Sequence, residues 1–213
     1  AQERYRVEVG PQGAGRMTLA DLEEYHDAGP DFREPIVGDY RDVTLKGMGP
    51  PSSGGQTVLQ ILKCLEQFQI GDEAAGFGFG ATNTLHAMIE SMRLAFASRS
   101  VWMGDADFVD LPVEGLISDG YLEPRCDLIE LDSVIENPID AGDPRPYEPF
   151  YVSLGNTLMI ASVPQETEGV NTTHFSVIDR WGNAVSYTST IEGTWGSGIT
   201  VPGYGFLLNN ELT

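Results

Sequence analysis

Two alternating segments on either side of a short turn constrain the fold of this 213-residue chain more than any other feature. The run from Thr173 to Ile178 alternates in side-chain character, and residues 179–183 include the Asp, Gly and Asn that favour a tight turn. Residues 184–191 then return with a hydroxyl at every second position. Because successive side chains of a strand point to opposite faces, this pattern predicts an antiparallel hairpin with one hydroxyl-bearing face.

The threonine that precedes the first strand is a candidate nucleophile. Thr172 is followed by Thr173, and a threonine pair at a strand start is ordinary, because β-branched residues suit strands. A threonine at a new N-terminus, however, carries a hydroxyl nucleophile and an amine base on one residue. Its hydroxyl can first attack the carbonyl of Asn171 and cut the chain there. The hydroxyl face of the return strand, which includes Thr190, would hold such a group in place.

Helical patterns precede the hairpin. Thr18 and Asp21 form a capping-box pattern for a helix through about Ala28, and residues 35–45 predict a pair of strands. From Thr57, apolar residues recur at helical spacing and predict one buried stripe. That stripe consists of Val58, Ile61, Leu62, Leu65 and Phe68.

A further helix is expected after residue 81, with Thr82 or Asn83 as its cap. Its predicted apolar face consists of Leu85, Met88, Ile89, Met92 and Phe96. Residues 104–149 show little periodicity, so irregular structure is expected there. Helices followed by a hairpin indicate an α+β fold class.

Composition excludes several kinds of partner. The 32 acidic and 12 basic residues give a net charge of −20, which repels nucleic acid and anionic membranes. The acidity fits either salt adaptation or an ordinary acidic enzyme, and the sequence leaves both open. The histidines His26, His86 and His174 lack metal-ligand spacing, so neither a metal nor a cofactor is predicted. The 41% hydrophobic content is enough for a globular core.

The remaining motifs favour structural roles. Residues 76–80 alternate Gly and Phe, but without Gly-Lys-Ser/Thr a simple turn is expected rather than a phosphate loop. Asp105 and Asp107 suit a capped turn. A structural role is favoured for His86, and also for His174, although His174 shares a strand face with Thr172.

The two cysteines are expected to be free thiols. Cys64 lies in a helical apolar pattern and is predicted to be a small buried hydrophobe. Cys126 is far away in sequence, and spacing alone supports neither a disulfide nor a metal site.

Several motifs in order resemble the γ-glutamyltransferase (γ-glutamyltranspeptidase) family. Within and after the hairpin they read Asn-Thr-Thr-His-Phe-Ser-Val-Ile-Asp, Gly-Asn-Ala-Val-Ser, Gly-Ser-Gly-Ile and Gly-Phe-Leu-Leu-Asn-Asn-Glu. Upstream, Pro-Pro-Ser-Ser-Gly-Gly at 50–55 and the segments 95–100 and 104–109 look like the large subunit of the same family. The resemblance covers nearly the whole chain and is weakest between about Leu122 and Gly169.

The resemblance implies a self-processing threonine amidase. Its fold would be the αββα sandwich of N-terminal nucleophile hydrolases. Thr172 would be the catalytic nucleophile after cleavage of the Asn171–Thr172 bond, and Thr190 would support it by a hydrogen bond. The acyl group would be γ-glutamyl, as in glutathione, and the acceptor would be water or an amino acid.

Two glutamates occupy expected substrate-binding positions. Glu211 falls where the family places a Glu or Gln that binds the substrate's α-amino group. Glu192 departs from the family's Asn, and its charge would repel the α-carboxylate unless it is protonated or turned away. An amidase with another acyl substrate, similar to cephalosporin acylases, therefore stays open. An unprocessed, non-catalytic relative is the other alternative.

The resemblance also implies an incomplete enzyme. Residues 1–171 would form the end of the large subunit, with an irregular processing loop near 150–171, and residues 172–213 would begin the small subunit. The family's substrate-binding arginine and the glycine pair of its oxyanion hole would lie outside this chain. Residues 1–213 alone are therefore expected to be inactive. The family is typically periplasmic, secreted or surface-attached, so an extracytoplasmic location is expected.

Overall fold

The computed structural model describes residues 18–149, 172–201 and 203–210. The chain divides into two compact units. One comprises residues 32–164, and the other comprises residues 1–31 together with 165–213. The larger unit contains most of the helices, and the smaller one contains the hairpin.

The first helix confirms its predicted cap. Helix α1 (Leu19–Ala28) begins after Thr18, whose hydroxyl accepts a bond from the backbone N–H of Asp21. The Asp21 carboxylate accepts in return from the Thr18 backbone N–H, which completes a capping box. These bonds hold the pKa of Asp21 below its usual value. Gly29, at a φ of +70°, ends the helix, because few other residues adopt that conformation readily.

A small antiparallel pair leads into the second helix. Strands β1 (Ile36–Tyr40) and β2 (Val43–Gly47) confirm the predicted pair. Helix α2 (Gly54–Leu65) begins three residues before the predicted start. A Cβ atom on Gly47 would lie 2.6 Å from the Cα atom of Gly55, so this approach of strand to helix requires glycine.

The predicted stripe of α2 is correct in part, because Leu65 is buried, whereas the predicted face of the next helix is wrong. In α2, Val58 is 51% exposed while Gln56, Leu59 and Gln60 are buried. Helix α3 (Thr82–Trp102) is capped by Ala81 rather than by Thr82 or Asn83. Its predicted apolar face is 38–52% exposed. The buried face carries smaller and more polar side chains, namely Ala87, Glu90, Ser91, Leu94, Ala95 and Ser98.

Small residues explain why this face of α3 is the buried one. Ala87 and Ser91 allow helices to approach closely, and each hydroxyl on the buried face bonds a main-chain carbonyl. Ser91 Oγ donates to the carbonyl of Ala87 at 2.7 Å, and Ser98 Oγ donates to that of Leu94 at 3.1 Å. Their polar atoms are thus satisfied without water, so burial carries little penalty.

Regular structure also occurs where irregular structure was predicted. Residues 115–117 form a 3₁₀ turn, and helix α4 (Asp119–Cys126) follows, with a second 3₁₀ turn at 145–147. Ser118 caps α4 by accepting a bond from the backbone N–H of Tyr121. Pro124 lies inside this short helix and obscures its helical pattern in the sequence.

The prediction of two free thiols is wrong. Cys64, at the end of α2, and Cys126, at the end of α4, form a disulfide with their Cα atoms 4.9 Å apart. The fold brings together residues that lie 62 positions apart, which spacing alone could not show. The disulfide lies in the main apolar core of the larger unit. That core consists of Cys64, Leu94, Leu116, Tyr121, Leu122, Cys126 and Ile129.

Polar bonds fasten the irregular segment to this core. The Tyr121 hydroxyl bonds Ser98 Oγ at 2.8 Å and donates to the carbonyl of Ala141 at 2.5 Å, and burial raises its pKa. The buried guanidinium of Arg125 donates to the carbonyls of Asp140 and Leu94. Residues 130–149 are therefore held by specific bonds rather than by repeating structure.

The hairpin has the predicted form. Strands β3 (Thr173–Ile178) and β4 (Ala184–Ser189) are antiparallel, and His174 pairs with Thr188 across them. The return strand ends two residues before the predicted Ile191. All the residues of both strands are exposed. In the described ranges, no helix is long and apolar enough to cross a membrane.

Candidate active site

The predicted nucleophile lies beside the predicted supporting threonine. The hydroxyl of Thr172 donates to Oγ1 of Thr190 at 3.1 Å. Thr172 immediately precedes β3, and Thr190 immediately follows β4, so the register of the hairpin brings them opposite each other. Thr190 therefore orients the hydroxyl proton of Thr172 and leaves the lone pairs of the Thr172 oxygen available.

The backbone of Glu192 is hydrogen-bonded to the hydroxyl of Thr190. Its N–H donates to Thr190 Oγ1 at 2.8 Å, so Thr190 accepts from both neighbours. The backbone of Glu192 has a φ of +66°, a left-handed conformation that is uncommon for a residue with a Cβ atom. A residue with a carboxylate is therefore held next to Thr190, the partner of the predicted nucleophile, on a strained backbone.

The segment after β4 folds back onto Glu192. Ser197 N donates to the carbonyl of Leu208 at 2.9 Å, and Thr200 forms a β-bridge with Leu207. Gly196 is required here, because a Cβ atom would lie 2.1 Å from the Leu208 carbonyl oxygen. This return brings the side chain of Asn210 against Glu192.

Asn210 contacts both the main chain and the side chain at this point. Its Oδ1 atom accepts from the N–H of Gly193 at 2.9 Å, and its Nδ2 atom donates to the carboxylate of Glu192. The carboxylate therefore turns toward Asn210.

His174 links three hydroxyls farther along the same face. Nδ1 lies 2.7 Å from Thr188 Oγ1, and Nε2 lies 3.2 Å from Ser176 Oγ and 3.1 Å from Ser186 Oγ. The imidazole therefore joins β3 to β4 next to the Thr172–Thr190 pair. Thr172 and His174 thus lie on one face of the hairpin, as the strand alternation predicts.

The turn at the other end of the hairpin is organised by one carboxylate. Asp179 accepts from the backbone N–H groups of Trp181 and Asn183, each at 2.9 Å, and from the Asn183 side chain at 2.8 Å. The bond from the Asn183 side chain is the main reason that the pKa of Asp179 lies below its usual value. Gly182, at a φ of +89°, completes the turn. This turn sets the register that places Thr172 opposite Thr190.

Some predicted site residues lie outside the described part of the chain. Asn171, Glu211 and the expected processing loop at 150–171 belong to this group. The structure brings together Thr172, Thr190 and Glu192. Sequence reasoning assigns no role to Asn210, because its contact with Glu192 depends on the fold of the intervening residues.

The other motifs make local structural contacts. His86 Nε2 lies 2.8 Å from the carbonyl oxygen of Glu130, and Asp105 caps a turn by accepting from the backbone N–H of Asp107 at 3.0 Å. Residues 76–80 form turns before α3. Within the described residues, no group of three or more His, Cys, Asp or Glu side chains is arranged to hold a metal ion.

Comparison with known proteins gives consistent matches. Relatives include the glutathione hydrolase proenzyme of Bacillus subtilis, which is 43% identical over 93% of this chain and 32% of that protein. The acylase ACY 1 proenzyme of Pseudomonas sp. strain SE83 is 35% identical over 93% of this chain and 30% of that protein. The chain thus spans about a third of the length of the curated relatives that it matches.

Solved structures support a shared fold. The Helicobacter pylori γ-glutamyltranspeptidase matches with a TM-score of 0.53 and 38% identity, over 63% of this chain and 36% of that one. A cephalosporin acylase from Bacillus halodurans matches with a TM-score of 0.64 and 25% identity, over 92% of this chain and 29% of that one.

A family model described as gamma-glutamyltranspeptidase matches residues 6–213. This match extends through both units, including the hairpin with its Thr172–Thr190 pair and the return to Asn210. The chain therefore belongs to the γ-glutamyltranspeptidase family.

Proposed function

We propose that the full-length protein is a self-processing threonine amidase that cleaves γ-glutamyl amide bonds and transfers the glutamyl group to water or an amino acid. The hydrogen bond between Thr172 and Thr190 is the observation that carries this proposal. Family membership and the glutathione hydrolase relatives support it. The proposed architecture is the αββα sandwich of N-terminal nucleophile hydrolases, and the match to a cephalosporin acylase structure supports that fold.

The first reaction is cleavage of the precursor. The Thr172 oxygen attacks the carbonyl carbon of Asn171, and the peptide nitrogen leaves, so the acyl group moves from nitrogen to oxygen. Water then hydrolyses this ester, which gives a carboxylate on Asn171 and a free α-amine on Thr172. Thr190, which accepts the bond from the Thr172 hydroxyl, orients the oxygen for this step.

The second reaction uses the new amine. It takes the hydroxyl proton while the Thr172 oxygen attacks the amide carbonyl of the substrate. The substrate's amine leaves with a proton, and a glutamyl ester of Thr172 remains. Water or the amine of an amino acid attacks this ester, releases the glutamyl group and restores the hydroxyl. The residues of this chain require no metal or cofactor for these steps.

Replacement of Thr172 tests the mechanism. In the full-length protein, Thr172→Ala removes the attacking oxygen, so one uncut chain should persist. Hydrolysis of γ-glutamyl-p-nitroanilide should fall by more than about 1,000-fold, the scale seen when a nucleophile is lost. Electrophoresis, N-terminal mass analysis and p-nitroaniline absorbance provide the three measurements.

Thr173→Ala is the matched control, because Thr173 is the neighbouring threonine on the opposite face of β3. It should be cut and active. Cleavage of the Thr172→Ala protein at the Asn171–Thr172 bond would show that another residue performs processing. An intact, uncut wild-type chain would instead support the non-catalytic alternative.

A second candidate is an amidase for a different acyl group. The carboxylate at Glu192 favours it, because that charge opposes an acyl carboxylate nearby. The acylase relatives are consistent with it. 4-Aminobutyryl-p-nitroanilide differs from the γ-glutamyl anilide only by lacking the α-carboxylate. Preference for the γ-glutamyl anilide supports the first candidate, and preference for the 4-aminobutyryl anilide supports the second.

The proposed location is outside the cytoplasm. The Cys64–Cys126 disulfide supports it, because disulfides persist mainly in oxidising compartments. The proposed partners are small γ-glutamyl substrates, their amino-acid acceptors, and the two subunits of one precursor. Alkylation of the protein in intact cells with iodoacetamide before any reduction should leave both cysteines unmodified.

A further inference from the structure

Asn210 is bonded to the segment that contains Glu192, the residue whose backbone N–H bonds Thr190. Three of its atoms contact the segment 191–193. Its backbone N–H donates to the carbonyl of Ile191 at 3.4 Å, Oδ1 accepts from Gly193 N, and Nδ2 donates to the Glu192 carboxylate. Main chain and side chain of the segment are therefore both bound to this one asparagine.

These contacts stabilise an unfavourable backbone conformation at Glu192. A left-handed φ at a residue with a Cβ atom is unfavourable and persists only where the surroundings enforce it. Thr190 Oγ1 accepts from the N–H of Glu192, and Asn210 accepts from the next N–H, that of Gly193. The two side chains therefore hold the strained residue from both sides.

The side chain of Glu192 is held as well. A free glutamate explores several rotamers, whereas a carboxylate that accepts from a fixed amide keeps one orientation. Its charge then lies in one place relative to the Thr172–Thr190 pair. A fixed carboxylate attracts an ammonium group and repels a carboxylate, so its position affects which acyl group binds productively.

We propose that Asn210 is a positioning residue that acts through Glu192 and thereby controls discrimination between acyl groups with and without an amine on the acyl chain. This inference rests on the proposed function. Asn210 does not touch the nucleophile; it holds the residue whose backbone bonds the nucleophile's partner. Its effect should therefore appear in KM and in substrate preference more than in kcat.

A four-protein cycle tests this role in the full-length enzyme. Wild type, Asn210→Ala, Glu192→Gln and the double variant are compared on γ-glutamyl-p-nitroanilide and glutaryl-p-nitroanilide. Asn210→Ala should raise KM for the γ-glutamyl anilide about 10-fold, with kcat within about 3-fold, because an interaction with a charged group is lost. In the Glu192→Gln background the same change should alter KM less than about 2-fold.

Two further variants test whether the effect of Asn210 depends on the charge of Glu192. Asn210→Asp places a carboxylate against Glu192, so it should raise KM more than Asn210→Ala, and Glu192→Gln should reverse most of that increase. Asn209→Ala removes the adjacent amide, and its effect should be the same in the wild-type and Glu192→Gln backgrounds. Melting temperature and the N-terminus at Thr172 confirm that each variant is folded and processed.

Equal effects of Asn210→Ala in the wild-type and Glu192→Gln backgrounds would overturn the proposal, as would failure of Glu192→Gln to rescue Asn210→Asp. Coupling between the two positions supports it. A wild-type enzyme that hydrolyses only the glutaryl anilide would contradict the proposed γ-glutamyl function. The same cycle measured on that anilide would still decide whether Asn210 acts through Glu192.

Discussion

At the scale of single residues, the hydroxyl face of the hairpin contains more than the proposed nucleophile, Thr172. His174 bonds hydroxyls on both strands, and its cross-strand partner Thr188 lies two residues before Thr190. A ring that joins the strands limits their movement next to the Thr172–Thr190 pair. Small displacements of a nucleophile reduce catalysis strongly.

His174→Ala in the full-length protein should therefore lower kcat about 10-fold and slow processing, while KM changes less than about 3-fold. The reason is loss of the bonds to Thr188 and Ser186 without loss of any substrate contact. Steady-state kinetics and the time course of chain cleavage measure the two effects.

Ser189→Ala is the matched control, since Ser189 lies on the opposite face of β4. It should leave kcat and processing near wild-type values. If His174→Ala behaves like this control, the imidazole network has no part in positioning the nucleophile.

The sequence predicts the hydroxyl face of the site but not the contact made by Asn210. Strand alternation alone predicts one shared face for Thr172, His174 and Thr190, and the hairpin has that arrangement. The role of Asn210 could not be predicted, because its contact with Glu192 depends on the return of the chain at 197–208. Period-two patterns indicate faces, whereas contacts across an irregular loop leave no periodic signal.

At the scale of elements, the sequence predicts helix positions better than helix faces. The apolar stripe of α3, which includes Leu85 and Ile89, is partly exposed, and its Ala and Ser face is buried. Periodicity identifies a helix, but the shape of its partner selects the face that packs. Helix α4 was not predicted, because it is short and contains Pro124.

The disulfide is a second element-scale feature that sequence reasoning missed. It joins the C-terminal ends of α2 and α4 within the core and closes a loop of 62 residues. By the chain-entropy argument, such a crosslink destabilises the unfolded state by about 4 kcal/mol.

Reduction of the wild-type protein should lower its free energy of unfolding in urea by about this amount. The Cys64→Ala, Cys126→Ala double variant provides the control, because reducing agent should not change its stability. Equal urea midpoints for oxidised and reduced wild type would contradict the predicted contribution of the crosslink.

At the scale of the whole molecule, the described residues of the two units differ in how much apolar surface they bury. The unit of residues 32–164 contains the disulfide-linked core around Leu116 and Leu122. In the hairpin, Phe175 and Tyr187 contact each other with ring centroids 5.2 Å apart, yet both are about half exposed. A two-stranded sheet without a covered face is marginally stable in water.

Residues 1–213 expressed alone should therefore lack activity, even though Thr172 and Thr190 are present. Catalysis depends on groups that are already fixed before the reaction, and an exposed, marginally stable hairpin holds them only weakly. Hydrogen exchange measured by mass spectrometry should find slow exchange in α2 to α4 and fast exchange in β3 and β4. The full-length protein, assayed in parallel with γ-glutamyl-p-nitroanilide, is the positive control. Turnover by the 213-residue chain, or strong protection of its hairpin amides, would contradict the view that the site requires additional packing.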